Sequence, residues 1–282
     1  MITRNLNDNC WLPHLGKISS IDNLGPEIKL LRVHLANGNG HSNEEFQPGQ
    51  FAFISAFGVG EAPFGIASIL TDDGSLEFAI QRLGNVTTAL HELAVGDLIG
   101  VRGPLGNSFP MEKLEDKNLV VIGGGIGGAP LRPVIQYVNN NRNKFGELTI
   151  LWAARSPSHL MFREDYESWR NIPNTNLHLT VDQPDDEWDG HVGLITELLD
   201  QVNPSSKNAI AITCGPPVMI FYADKLLSEL GFSPDNRYVT LEARMHCGIG
   251  KCGRCNIGEK LVCVDGPVFS MDEVENFLEG YF

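Results

Sequence analysis

The pattern of apolar and polar residues changes once along the chain, near Asp116, and this change predicts two kinds of sheet. Before it, short segments alternate apolar and polar positions and are separated by Gly and Pro, as in Ile28–Leu35, Gln50–Ser55 and Leu76–Gln81. This alternation is typical of half-buried strands, and short strands at this spacing favour a small antiparallel β-barrel. One helix is expected here, over Thr88–Leu93.

After Asp116 the apolar segments are continuous and alternate with helical ones. Strands are predicted at Leu119–Ile122, Leu148–Ala153, Leu177–Val181, Ala209–Cys214 and Tyr238–Leu241. Helices are predicted up to Asn140 and over Arg163–Trp169, Leu194–Gln201, Val218–Leu230 and Met271–Leu278. Alternating strands and helices indicate a Rossmann-like α/β domain with a parallel sheet covered on both faces.

Three parts are therefore expected along the chain. They are an antiparallel β-barrel domain over 1–113, an α/β domain over 114–232 and a small C-terminal segment over 233–282. The polar run 37–45 is predicted to be a loop, and Arg102–Gly106 a rigid turn because Gly and Pro follow one another there.

Composition narrows the class of protein. The 282 residues are 42% hydrophobic and 20% charged, as in an ordinary globular protein, and no apolar run approaches the ~20 residues that span a bilayer. No secretory signal pattern opens the chain, so a cytoplasmic protein with reduced thiols is expected. The net charge of −14 argues against nucleic acid as a partner, because phosphate contacts need a basic face.

A glycine-rich segment joins the first apolar strand of the α/β region to its helix. It contains Gly123, Gly124, Gly125, Ile126, Gly127 and Gly128. In this strand-to-helix position, glycines let a pyrophosphate lie against backbone N–H groups. The segment predicts dinucleotide binding, with a tight turn alone as the other interpretation.

Cations follow the next strand, where a dinucleotide-binding fold places the ribose. Arg155 and Ser156 come directly after this strand, and Arg163 lies nearby. Arginine suits the 2′-phosphate of NADP, whereas NAD is usually held by an acid. The sequence favours NADP(H), leaves NAD(H) possible, and leaves open that Arg155 is only a solvated loop residue.

Cys214, Gly215 and Pro216 end the last apolar strand before the C-terminal segment. Ligands of open α/β sheets bind beyond the carboxyl ends of the strands. A small, soft side chain at this place could face a flat nicotinamide ring, so Cys214 is a candidate catalytic residue. A buried structural cysteine fits the spacing equally well.

Four of the six cysteines form the pattern C-x4-C-x2-C-x7-C through Cys247, Cys252, Cys255 and Cys263. This is the spacing of plant-type [2Fe–2S] ferredoxins. Glycines between the ligands let backbone N–H groups approach the anionic cluster. A zinc site is the main competing interpretation, although zinc sites usually present two separated pairs of ligands.

Together these segments resemble the ferredoxin-NADP reductase superfamily over nearly the whole chain. The order of a barrel, the glycine-rich loop and Cys214-Gly215-Pro216-Pro217 is that of the superfamily, and the four cysteines narrow the resemblance to its flavin/[2Fe–2S] electron-transfer subunits. This branch includes the gamma subunits of cytoplasmic NADP-linked [NiFe]-hydrogenases (sulfhydrogenases) and the corresponding electron-transfer subunits of anaerobic sulfite reductase and of dihydroorotate dehydrogenase. The segments 60–63, 155–158, 245–255 and 263–269 are most similar to the hydrogenase and sulfite reductase subunits.

The resemblance implies FAD in the barrel. The isoalloxazine would lie against Pro63, Phe64, Gly65, Ile66, Ala67 and Ser68, and the pyrophosphate against Arg82, Gly84, Val86 and Thr87. From the residues alone, Arg82 before a turn and a helix start is a pyrophosphate clamp or a plain surface arginine. The reductase pattern Arg-x-Tyr-Ser reads Ala62-Pro63-Phe64-Gly65 here, so one arginine of that pattern is missing.

The expected function is electron exchange between NAD(P)H and a partner redox enzyme, through FAD and a [2Fe–2S] cluster. The partner would be the catalytic and Fe–S subunits of a [NiFe]-hydrogenase, with sulfite reductase or dihydroorotate dehydrogenase as alternatives. A redox-sensing or scaffold subunit without turnover is the alternative from another class. Lys251, Arg254 and an exposed apolar edge within Val264–Phe269 are predicted to form the docking face.

Overall fold

An antiparallel six-stranded sheet forms the first part of the protein. The computed structural model describes residues 10–35, 46–71 and 73–278, so the polar run 37–45 lies outside the described residues. The strands are β1 (His14–Gly25), β2 (Ile28–Leu35), β3 (Phe51–Ala56), β4 (Gly60–Gly65), β5 (Ser75–Gln81) and β6 (Leu98–Leu105), with α1 (Asn85–Glu92) between the last two.

The strand order is β4-β3-β6-β1-β2-β5, and an isolated bridge between Ile66 and Phe78 brings the two edges of the sheet together. The inward-facing residues of the strands, such as Leu31 and Ile54, form one apolar core with Leu90 of α1. The predicted antiparallel barrel is therefore confirmed. The interpretation of Arg102–Gly106 as a turn is wrong, because Arg102 to Leu105 continue β6.

The second part is a seven-stranded sheet with helices. Its elements begin with α2 (Met111–Leu114), β7 (Asn118–Gly124), a 3-10 helix (Gly125–Leu131), α3 (Arg132–Asn140), a 3-10 helix (Arg142–Lys144), β8 (Leu148–Ala154) and two further 3-10 turns (Pro157–His159, Arg163–Asp165). They continue with α4 (Tyr166–Arg170), β9 (Thr175–Val181), β10 (His191–Val192), α5 (Ile195–Val202), β11 (Ala209–Cys214), α6 (Pro217–Glu229), a 3-10 turn (Pro234–Asn236) and β12 (Arg237–Thr240).

The C-terminal segment contains β13 (Asn256–Ile257), β14 (Lys260–Leu261), β15 (Val268–Ser270) and α7 (Met271–Leu278). The large sheet has the order β10-β9-β8-β7-β11-β12-β15. Its strands are parallel except β15, which pairs with β12 antiparallel. The predicted parallel sheet is thus confirmed and extended by a strand that the C-terminal segment supplies.

One buried cation, Arg132, joins the first two parts. It lies at the start of α3 and donates to the carbonyl of Ala67 at 2.9 Å, to Glu77 on β5 and to Asp165 at 2.5 Å. Only 10% of its side chain is exposed. A buried guanidinium needs such partners, because an uncompensated charge is costly away from water.

The C-terminal segment is fastened to both other parts. The Asn107 side chain donates to the carbonyls of Asp265 and Val268 and accepts from the N–H of Val268. An apolar core joins barrel residues such as Phe53 with Cys255 and Val274. Among the described residues, no helix has the length and apolar character that crossing a membrane requires.

Candidate functional site

A cavity of about 310 Å³ opens where the three parts of the chain meet. The barrel contributes Ala62 to Gly65 from β4, with Gly49, Phe51, Ala79, Gln81, Leu83 and Thr87. The α/β part contributes Ile126, Ala129 and Pro130, and the C-terminal part Thr240 to Ala243, Met245 and Pro267. A mostly apolar cleft with a few polar groups is the usual form of a cofactor site.

The structure brings half of the predicted flavin-facing segment into this cavity. Pro63, Phe64 and Gly65 line it. Ile66, Ala67 and Ser68 are buried instead, and the Ser68 hydroxyl accepts the N–H of Glu77 at 3.0 Å. Three of the six residues therefore line the cavity, and the flavin contacts predicted for all six stay predictions.

The predicted pyrophosphate segment lies at one side of the same cavity. Thr87 lines it, but its hydroxyl accepts the N–H groups of Leu83 and Gly84, both at 2.9 Å. Val86 packs against the barrel core. Arg82 is half-exposed and only loosely paired, 3.8 Å from Glu27, so its guanidinium is available to an anionic ligand.

The glycine-rich segment after β7 lies beside the segment that begins at Cys214, because β7 and β11 are neighbouring parallel strands. The register pairs Cys214 with Gly123 across β11 and β7. Gly125 has φ +55°, and a Cβ there would meet no atom within 4 Å, so the backbone faces open space. Gly127 packs against Gly215, because a Cβ added to Gly127 would lie 2.5 Å from the Cα of Gly215. The loop has the close packing and open face that a pyrophosphate cradle requires.

Cys214 is 2% exposed at the end of β11, and Pro216, its neighbour in the predicted motif, is exposed. Burial raises the pKa of the Cys214 thiol to about 12. The side chain is therefore a neutral thiol at physiological pH, a polarisable group rather than a nucleophilic thiolate. This state fits a residue that faces a nicotinamide ring and fits a structural cysteine as well.

The predicted ribose site follows β8. Arg155 is exposed one residue after the strand, and Arg163 is exposed at the start of a short 3-10 turn. The Ser156 hydroxyl is 2.7 Å from Nδ1 of His159 and 3.0 Å from the Ser158 hydroxyl. Both cations are free to meet a phosphate from solvent, and the assignment of these residues to NADP stays a prediction.

Three of the four clustered cysteines lie on the cysteine loop, residues 245–255, and Cys263 follows the short β13–β14 hairpin. Backbone N–H groups of this loop donate to two of the sulfur atoms. The N–H groups of Lys251 and Cys252 donate to Sγ of Cys247 at 3.2 and 3.4 Å, and the N–H of Gly250 donates to Sγ of Cys263 at 3.2 Å. Gly248, Gly250 and Gly253 have φ values near +70°, which glycine tolerates best. Such N–H groups stabilise thiolates and a cluster's sulfur atoms.

The thiols are arranged as two pairs. Cys252 hydrogen-bonds the Cys247 thiol, whose pKa is lowered because the loop N–H groups outweigh its burial. The pKa of Cys263 is raised by burial and by its hydrogen bond with Cys255. Among the residues that the structure describes, no group of three or more His, Cys, Asp or Glu closes around a single ion. Two thiolates per iron is the donor set that a [2Fe–2S] cluster takes, so the residues present fit this group.

Sequence reasoning missed Arg102, which connects the cavity wall to the cysteine loop. Its guanidinium donates to the Cys247 carbonyl at 3.0 Å and to Glu61 Oε1 at 2.6 Å. These partners lie 145 and 41 residues away, so no local pattern could have identified the contact. It also missed Thr240, the last residue of β12, and Glu242 just after it, which both line the cavity. The rule that ligands bind at the carboxyl ends of strands is the signal that could have found them.

The predicted docking face is partly wrong. Lys251, Arg254 and Val264 are exposed, as expected. Val268 and Phe269 are 3% and 1% exposed, because β15 pairs with β12 and packs in the core beneath the cysteine loop. The Gly266–Phe269 run is therefore part of the fold and not an exposed apolar edge.

Family comparison finds three matching domains along the chain. The chain matches the oxidoreductase FAD-binding domain over residues 16–109, the oxidoreductase NAD-binding domain over 121–225 and the iron–sulfur cluster binding domain of dihydroorotate dehydrogenase B over 242–275. Fold and site together define the class of oxidoreductases that combine FAD, a nicotinamide nucleotide and an iron–sulfur cluster.

The relatives narrow this class. The chain is 37% identical to the gamma subunit of sulfhydrogenase 1 of Pyrococcus furiosus, over 95% of this chain and 94% of the relative. It is 36% identical to a probable dihydroorotate dehydrogenase B (NAD(+)) electron transfer subunit of Methanocaldococcus jannaschii, over 93% of this chain and 91% of the relative. The chain belongs to this family of flavin and iron–sulfur electron-transfer subunits.

A solved structure shows the same architecture over the same length. It was described in a study of flavin-based electron bifurcation as an NADH-dependent reduced ferredoxin-NADP oxidoreductase. It superposes with a TM-score of 0.73 at 26% identity, covering 94% of this chain and 93% of the other. The ferredoxin reductase of carbazole 1,9a-dioxygenase shares the fold over 80% of this chain and 68% of its own, with a TM-score of 0.68 at 21% identity.

Proposed function

We propose that this protein is an NAD(P)H-dependent flavin oxidoreductase subunit, a diaphorase, that passes electrons to a partner redox enzyme. The observation that carries the proposal is the shared cavity. Ala62 to Gly65 of the barrel, Ile126 of the nucleotide loop and Met245, two residues before the first cluster cysteine, line one space. A hydride donor and a one-electron carrier need to reach the same flavin, and this cavity is bordered by the elements that would hold both.

The chain's own residues supply binding and placement. Bound FAD would accept two electrons as a hydride and release them one at a time. A [2Fe–2S] cluster would carry the single electrons onward. Pro63, Phe64 and Gly65 form the wall for the flavin ring, and Arg82 provides a cation for its phosphates. Since this wall lacks the arginine of the reductase pattern, Arg82 and backbone contacts carry more of the phosphate binding.

The nucleotide side needs orientation rather than acid–base chemistry. A hydride moves with its electron pair, so no side chain has to remove a proton. The neutral thiol of Cys214 can contact the nicotinamide ring without repelling it, and the Gly127–Gly215 packing fixes the distance between the two loops. Arg155 and Arg163 are the candidates for a 2′-phosphate, which supports NADP(H) ahead of NAD(H).

The cysteine loop is the exit of the electron path. Cys247, Cys255 and Cys263 are buried, while Cys252 is exposed, and so are Lys251 and Arg254 beside it. An exposed ligand lets a protein partner approach the cluster. The gamma-subunit relatives support a hydrogenase, a cytoplasmic [NiFe] enzyme, as the partner, and the dihydroorotate dehydrogenase B relatives support the alternative.

Anaerobic reduction tests the proposal. Protein purified without oxygen and loaded with FAD, iron and sulfide is mixed with NADPH or NADH, and the visible flavin band and the electron paramagnetic resonance (EPR) spectrum are recorded. Bleaching of the flavin band followed by a reduced [2Fe–2S] signal is the expected result. A loaded protein that neither nucleotide reduces would be a scaffold or sensor, and the proposal would fail.

The partner is tested separately, by affinity purification of the tagged chain from its own cells under anaerobic conditions. Subunits of a [NiFe]-hydrogenase are expected to co-purify. Recovery of a dihydroorotate dehydrogenase or sulfite reductase subunit would replace the hydrogenase and leave the diaphorase activity standing.

A further inference from the structure

Arg102 is a buried cation with two partners in different parts of the chain. Its side chain is 4% exposed on β6. Both Nη2 and Nε face the Glu61 carboxylate, at 2.6 and 3.4 Å from its oxygens, while Nη1 donates to the Cys247 carbonyl at 3.0 Å. Glu61 directly precedes Ala62 at the cavity wall, and Cys247 is the first cysteine of the loop. One guanidinium therefore connects the two cofactor sites.

Aromatic rings keep water away from this guanidinium. It lies 4.4 Å from the ring centre of Phe53 and 5.9 Å from that of Trp11. Phe53 also supports the loop, because a Cβ on Gly248 would approach its ring to 2.7 Å. In such a low-dielectric place a charge acts strongly on its neighbours, whereas exposed charges are screened by water and salt.

We propose that the Arg102–Glu61 pair is a positioning unit that sets the reduction potential of the cluster held by the Cys247 loop. The inference rests on the proposed function, since it requires a cluster on the four cysteines. Arg102 contributes a positive charge beside the loop, and Glu61, 32% exposed, partly cancels it. Cluster potentials depend on nearby net charge and hydrogen bonds, so this pair is placed to tune them.

The sign of each effect follows from electrostatics. Reduction adds a negative charge to the cluster, and a nearby cation favours the added charge. Loss of Arg102 leaves Glu61 uncompensated and lowers the reduction potential. Loss of the Glu61 charge leaves Arg102 uncompensated and raises it. If the pair only held the loop in place, neutralising Arg102 and neutralising Glu61 would not shift the reduction potential in opposite directions.

The experiment is a redox titration of the cluster's EPR signal in anaerobically loaded full-length protein. Glu61→Gln is expected to raise the midpoint potential, Arg102→Gln to lower it, and the double variant to lie between them, near the unmodified protein. Arg102→Lys keeps the positive charge and loses the two-nitrogen contact with Glu61. Its midpoint potential is therefore expected to stay closer to that of the unmodified protein than the potential of Arg102→Gln does. The double variant tests whether the two residues act as a pair.

Glu115→Gln is the matched control, since Glu115 pairs with Lys144 in an exposed ion pair elsewhere on the surface, and no shift is expected. Shifts of the same sign for both single variants, or none, overturn the proposal. If the Arg102→Gln protein loses its iron, the Glu61→Gln protein alone tests the proposal. An unchanged midpoint potential in that variant overturns the proposal. Absence of the [2Fe–2S] signal from the unmodified protein refutes the proposed function instead.

Discussion

A Cβ atom on Gly127 would lie 2.5 Å from the Cα of Gly215. The two glycines belong to the loops that follow β7 and β11, which are neighbouring parallel strands. Backbone therefore packs on backbone at this point, and neither side can yield by rotating a side chain. The contact joins the pyrophosphate loop to the loop of Cys214.

Gly127→Ala is expected to destabilise the protein and to weaken nicotinamide nucleotide binding. The added methyl forces one loop away from the other, and such overpacking costs about 1–3 kcal/mol. Thermal unfolding of the apo-protein and NADPH titration measure the two effects. Gly84→Ala is the stability control, because a Cβ there meets no atom within 4 Å and the backbone is extended. Equal melting temperatures for both variants would contradict the packing argument.

Arg132→Met is expected to cost about 3–5 kcal/mol of stability, because it leaves the partly buried Asp165 without a cation and leaves the buried Glu77 with only the more exposed Arg32. Chemical denaturation monitored by tryptophan fluorescence measures this. Lys144→Met removes a cation from an exposed pair with Glu115 and should change stability far less, because water and salt screen an exposed ion pair. Losses of similar size would show that the interdomain network is no stronger than a surface pair.

Cys252→Ser is expected to abolish or severely alter the EPR signal of the reduced cluster while FAD stays bound. Cys252 is the exposed member of the four, so its replacement leaves the buried packing of the loop intact. Cys10→Ser, which lies outside the cysteine pattern, is the control. Metal analysis completes the test, because zinc without iron in anaerobically purified protein would refute the cluster.

Arg155→Ala is expected to weaken NADPH binding roughly ten- to a hundredfold and to leave NADH binding nearly unchanged. A charge-assisted hydrogen bond to a 2′-phosphate is worth about 1.5–3 kcal/mol, and NADH has no such phosphate. Titration calorimetry with each nucleotide measures the ratio. The exposed Arg170 at the end of α4 provides a control, Arg170→Ala. Equal losses for both nucleotides would remove the support for NADP.

Arg254→Glu is expected to slow electron delivery to the protein partner and to leave NADPH-to-ferricyanide activity intact. Arg254 is exposed beside Cys255, and a small acceptor does not need a docking face. Comparing the two activities separates docking from chemistry. If both decline together, the substitution has disturbed the cysteine loop itself and the docking interpretation fails.

The sequence predicted those features whose signal is local. The apolar strand before the glycine-rich segment and the spacing of Cys247, Cys252 and Cys255 each lie within a few residues, and the structure contains the strand as β7. Resemblance then added FAD, which no short pattern in the barrel identifies, and the FAD-binding domain over residues 16–109 agrees with it.

What the sequence could not predict depends on partners far along the chain. Arg102–Leu105 reads as a turn because of Gly103 and Pro104, yet Arg102 pairs with Phe53 and Leu105 with Phe51 across β3. Val268 and Phe269 read as an exposed edge, and their burial depends on β12 and on Asn107. The local sequence indicates a turn in the first place and an exposed edge in the second, and only the tertiary neighbours overturn these two interpretations.

The pairing of β15 with β12 has a consequence for protein engineering. The strand that follows the cysteine loop closes the edge of the nucleotide-binding sheet, and Asn107 clamps its start to the barrel. Grafting the cysteine loop onto another reductase would therefore require the loop with β15, a sheet edge free to pair with β15, and a residue that does what Asn107 does here. Deleting the loop together with β15 would expose the backbone edge of β12 and favour edge-to-edge association between molecules. The cysteine loop thus depends on the strand that follows it and on Asn107, and it cannot be transferred as a separate unit.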